Sequence, residues 1–64
     1  MRMMEEELHQ LLKSHGWNLL LRKRGKREYF YAQKWREGEI YITSKRRLAE
    51  ATPEQVLSKL RKVE

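Results

Sequence analysis

Apolar residues recur along this chain with two different periods, and the points where the period changes divide it into five elements. Met4, Leu8, Leu11 and Leu12 follow the spacing of one helical face, which predicts a helix over residues 3–14. Glu5, Glu6 and Glu7 stand in its first turn, where carboxylates meet the positive end of the macrodipole. Gly16 is placed to end the helix in a left-handed conformation. From Trp17 the period becomes two, predicting strands at about 17–22, 28–36 and 39–43. Arg24-Gly25 and Glu37-Gly38 fall between them, each with Gly where a tight hairpin needs a positive φ. Thr52-Pro53-Glu54-Gln55 is a capping box with Pro at the first helical position. Val56, Leu57, Leu60 and Val63 continue it as the apolar stripe of a helix over 53–63. The predicted fold class is α+β in the order αβββα: a three-stranded antiparallel meander packed against helices, one domain over 1–64.

The strand residues divide into two faces once the hairpins are closed. With a type I turn and a Gly bulge at each, Arg22 opposes Lys26 and Trp35 opposes Glu39. Leu20, Phe30, Ala32, Ile40 and Ile42 then share the face expected under the helices. Trp17, Leu19, Leu21, Tyr29, Tyr31, Gln33, Trp35, Tyr41 and Thr43 share the other, an aromatic face expected to be open. A shift of one residue in register would mix the two sets.

Length sets the next limit. A chain of 64 residues buries only about 60% of its extended surface, so it is marginally stable without a partner. It has no Cys, which leaves neither a disulfide framework nor a thiolate metal site. No apolar run approaches the ~18 residues of a membrane span, and no signal-peptide core follows Met1. No membrane partner is expected, and the cytoplasm is the default location. A charged fraction of 38% without Cys also leans toward a thermophile's composition.

Charge then changes the picture, because it is unevenly placed. Between Arg22 and Arg47 there are ten Lys/Arg and three Glu; the remainder holds five Lys/Arg and six Glu. The net +6 is therefore a property of the middle of the chain, where every aromatic except Trp17 also lies. Arg22, Lys23, Arg24, Lys26 and Arg27 crowd the first hairpin, and their mutual repulsion opposes folding unless an anion relieves it. Lys45, Arg46 and Arg47 form a second cluster after the third strand, with Lys34 and Arg36 expected to bridge toward the hairpin. Charges at a hairpin tip also serve simply as protection against edge pairing, but evenly protective charge would not leave both ends of the chain neutral or acidic.

Catalytic chemistry finds no constellation. His9 and His15 diverge on opposite sides of a helix, with no Cys or Asp to complete a metal site. Glu5, Glu6 and Glu7 point in different directions, and the three Gly are isolated, so there is no phosphate loop. Ser14, Ser44 and Ser58 lack an acid–base partner at a recognisable spacing. The expectation is a non-enzymatic protein with no catalytic residue, metal or cofactor.

Gly25-Lys26-Arg27, Tyr29-Phe30-Tyr31, Trp35 and the Thr52-Pro53-Glu54-Gln55-Val56 helix start give residues 17–62 a resemblance in pattern. The stretch resembles the three-stranded-sheet DNA-binding domains of the plant AP2 type and the arm-binding domains of tyrosine recombinases. That resemblance implies a sheet lying in the major groove, its Arg, Trp and Tyr on phosphates and bases, and a helix bracing the other face. The chain departs from the recombinase pattern after the last strand, where Ser44 and Lys45 stand in place of a Gly, and in its extra N-terminal helix. The residues themselves point the same way. Lys/Arg supply affinity by counterion release; Tyr29, Tyr31, Trp35 or Tyr41 supply stacking or apolar contact, and Gln33 a base contact. Duplex DNA is the expected ligand. Single-stranded DNA or RNA stacked on the aromatic face is the second reading, and a protein-interaction module regulating a larger enzyme or the transcription machinery is the third. The first helix, if spare, could form a homodimer.

Overall fold

A computed structural model describes residues 3–63; positions 1, 2 and 64 of the expected domain lie outside the described residues. The chain runs α1 (Glu5–Ser14), β1 (Asn18–Arg24), β2 (Arg27–Lys34), β3 (Gly38–Ser44), a 3-10 helix (Lys45–Glu50) and α2 (Pro53–Arg61). The strands form one antiparallel sheet in the order β1-β2-β3. This is the α+β meander expected from the sequence, with one element more.

Helix α1 starts two residues later than its apolar spacing suggests. Met4 is extended and provides no side-chain cap, and Met3 is buried in the core. Its end is as read. Gly16, at φ 81°, lets its own N–H reach the Lys13 carbonyl at 3.0 Å while the Trp17 N–H reaches that of Leu12 at 2.8 Å. These two bonds are a Schellman close, and they turn the chain so that Trp17 enters the core. Helix α2 carries the predicted capping box: Thr52 Oγ1 accepts from the Gln55 N–H, and Gln55 Oε1 accepts from the Thr52 N–H. It ends at Arg61, leaving Val63 exposed beyond it instead of extending the stripe.

The first hairpin corrects the expected register. Arg24 pairs with Arg27, so the loop is only Gly25-Lys26. Gly25 has φ 64° and Lys26 a negative φ, the pattern of a type II′ turn with Gly at its first central position. Relative to the expected closure, β1 slides by three residues against β2, and an odd slide exchanges its faces. Trp17, Leu19 and Leu21 therefore lie on the helix side with Phe30 and Ala32, while Leu20 lies on the open side with Tyr31. A bulge in β3 makes the second correction. Tyr41 pairs with Tyr31 and Thr43 with Phe30, so Ile42 is the extra residue and Thr43 turns toward the helices, not toward the open face.

All three helical segments pack over this one face. Leu8, Leu12, Trp17, Phe30, Ala32, Ile42, Leu48, Val56 and Leu60 form a single buried cluster. The 3-10 helix begins where Ser44 Oγ accepts from the Arg47 N–H at 3.2 Å, and it brings Leu48 under the sheet. No helix among the described residues is long and apolar enough to cross a membrane.

Candidate nucleic-acid interface

The hairpin tip and the chain after β3 lie at the same end of the sheet, because Tyr29 near the start of β2 pairs with Ser44 at the end of β3. The two basic clusters therefore meet, although nearly twenty residues separate them in sequence. Lys26 and Arg27 from the hairpin and Lys45, Arg46 and Arg47 from the 3-10 helix line one open groove of about 1100 Å³. Tyr29, Tyr41 and Ser44 line it from the sheet, and Glu28 and Glu50 supply the two carboxylates against five cations. Glu28 has one partner in Lys45, at 3.2 Å, but the Oε2 atom makes no aligned hydrogen bond. Such a groove has the sign of charge that attracts a phosphate chain, with tyrosine rings beside it.

A second concavity, on the open face, is lined by Arg22, Lys23, Arg24, Tyr29, Tyr31 and Tyr41. Tyr41 packs against both other tyrosines, edge to face on Tyr31 at 5.6 Å and tilted on Tyr29 at 6.1 Å between ring centroids. Arg22 sits over the Tyr31 ring at 5.9 Å and is clasped by Glu39 through hydrogen bonds of 2.8 and 2.7 Å. Those bonds, and the Coulomb attraction behind them, raise the guanidinium's pKa above its ordinary value. Arg22 is thus a candidate phosphate contact already holding a carboxylate.

Strand pairing sets the order along the open face. From the tip inward come Arg24 with Arg27, then Arg22 with Tyr29 and Ser44, then Leu20 with Tyr31 and Tyr41, then Asn18 with Gln33 and Glu39. Cations come first, then rings, then two amides beside the Glu39 carboxylate.

The remaining candidates are elsewhere. Strand β2 stops at Lys34, where the Glu37 N–H closes a turn onto the Lys34 carbonyl at 3.0 Å. Trp35 is therefore a turn residue, 85% exposed, and does not pair with Glu39. Arg36, beside it, has φ 69°. Lys34 lies over the Trp17 ring at 5.3 Å, on the helix side. Neither Lys34 nor Arg36 bridges the two basic clusters; both sit at the opposite end of the sheet.

Four participants escaped the reading of the sequence. The sequence pattern offers Glu39 as a strand start opposite Trp35, whereas its side-chain partner is Arg22, 17 residues away. Ser44 caps the 3-10 helix and lines the groove; its signal, a Ser three residues before the capped N–H, was present but led into no periodic helix. Asn18 joins the amide row only through the actual register. Lys59 donates to the Ile42 carbonyl and lies over the Tyr41 ring at 5.2 Å. Among the described residues no cluster of three metal-ligating side chains occurs. No protein-family model, no curated protein and no solved structure matches this chain.

Proposed function

We propose that this is a non-enzymatic nucleic-acid-binding domain of the cytoplasm that holds duplex DNA by its phosphates in the groove between the first hairpin and the 3-10 helix. One observation carries the reading: Lys26 and Arg27 are brought beside Lys45, Arg46 and Arg47 on a common open surface. Cations so gathered repel one another, and a phosphate chain is the ligand that turns that cost into affinity. Helices on one face of the meander and Arg, Tyr and Gln on the other also agree with the resemblance to three-stranded-sheet DNA-binding domains. Single strands are the second reading, supported by the Tyr29, Tyr31 and Tyr41 cluster next to the groove.

The test is an electrophoretic titration against duplex DNA, single-stranded DNA and RNA over a range of salt. Roughly five to eight phosphate contacts give log affinity a slope of about −4 to −7 against log salt. Replacing Arg24 and Lys26 together by Gln flattens the slope by about 1–2 and weakens all sequences alike. A slope near zero removes the reading.

A further inference from the structure

Trp35 is the most exposed large hydrophobic side chain among the described residues. It is 85% exposed at the turn between β2 and β3, whereas Trp17 is 1% exposed in the core. Its neighbour Arg36 holds φ 69°, a conformation that disfavours every residue with a Cβ. Strained backbone of this kind clusters at functional positions, and here it stands beside an exposed indole. The position of that tip is the second observation. Arg27 in the basic groove and Lys34 at the turn are the two ends of β2, roughly 23 Å apart at about 3.3 Å per residue. Tyrosines, and then the Asn18 and Gln33 amides with the Glu39 carboxylate held by Arg22, occupy the open face between them.

We infer that the preferred ligand is a nucleic acid in which a duplex passes into a single strand. This rests on the proposed duplex-binding function and specifies its substrate. The duplex phosphates lie in the basic groove, the unpaired strand continues along the open face, and an unpaired base stacks on Trp35. An indole enters a continuous duplex only by prising stacked pairs apart, whereas an unpaired base offers its face without that cost. Charge selects the backbone at one end and the indole selects an exposed ring at the other. At about 3.4 Å per stacked nucleotide the span corresponds to roughly seven nucleotides, so the gain depends on overhang length.

The experiment compares a blunt duplex with the same duplex carrying an overhang of about two or about eight nucleotides, on either strand, at low salt. The long overhang tightens binding about tenfold over the blunt duplex, and the short one by less than about twofold. Trp35→Ala removes most of that tenfold ratio and Trp35→Phe keeps part of it. Trp17 is buried, so quenching of exposed-type emission by the long overhang reports Trp35 in the unaltered protein. Equal affinity for blunt and long-overhang duplexes, or an undiminished ratio in Trp35→Ala, overturns the inference and leaves duplex binding standing. A free single strand that binds as tightly as the overhang duplex overturns it in favour of the single-strand reading. Failure to bind any of the probes removes both the inference and the function beneath it.

Discussion

Arg22 on β1 and Glu39 on β3 are joined across β2 by two hydrogen bonds, directly over the ring of Tyr31. Bidentate geometry of this kind suits a phosphate as well as a carboxylate. Glu39 therefore occupies a cation that stands next to the groove. Replacing Glu39 by Gln removes one negative charge and releases Arg22. Duplex affinity at low salt is expected to rise by about three- to tenfold, and the salt slope to steepen by about one. Weaker binding by the variant would show that the clasp positions Arg22, and the same electrophoretic titration reads both outcomes.

The two tryptophans predict opposite outcomes for one kind of substitution. Trp17→Ala empties the centre of the core and costs about 3–5 kcal/mol, enough to unfold most of the population of so small a domain. Trp35→Ala changes stability by no more than about 0.5 kcal/mol, because the side chain is in solvent. Urea unfolding followed by circular dichroism separates them; comparable losses in the two variants would contradict the placement of Trp35 on an exposed turn.

Thr52 makes the side-chain bond that starts α2. Thr52→Ala is expected to lower stability by about 1 kcal/mol without altering the salt slope of DNA binding. An unchanged melting temperature would show that the helix does not depend on this cap.

Two positions with positive φ carry opposite residues. Gly16→Ala places a Cβ in ordinary contact with Lys34 Cε at 3.7 Å, so its cost is conformational, about 1 kcal/mol. Arg36→Gly relieves the same kind of strain and is expected to stabilise by about 0.5–1 kcal/mol. Thermal melting of the two variants should shift in opposite directions. A destabilised Arg36→Gly would mean that the arginine side chain, not the backbone, holds the turn.

Elements and caps were legible in the sequence because their causes are local. Gly16, the capping box at Thr52 and the Gly of each hairpin act within a few residues of themselves. Faces were legible only in part. The expected hairpin closures put Phe30, Ala32, Ile40 and Ile42 on the core side and Tyr29, Tyr31, Gln33 and Tyr41 on the open side, and the observed pairing agrees. Leu20 exchanged sides with Trp17, Leu19 and Leu21 because one turn closed in two residues and not in a longer loop, a difference of small energy and large consequence. Thr43 crossed over at a bulge that no pattern announces. Convergence of the two basic clusters could be suspected from charge but not located, since it follows from pairing Tyr29 with Ser44. The clasp between Arg22 and Glu39 was beyond reach for the same reason.

The bulge at Ile42 also leaves the sheet with two unequal borders. A three-stranded sheet has two borders, and a fibre built by adding strand to strand needs both of them. On the β3 side the bulge breaks the even spacing of the ladder, and Lys59 already takes the carbonyl of the bulged residue. The regular border is that of β1. Two copies joined there would close on each other about a twofold axis and present only the interrupted borders outward. Growth by strand addition would then stop at a pair.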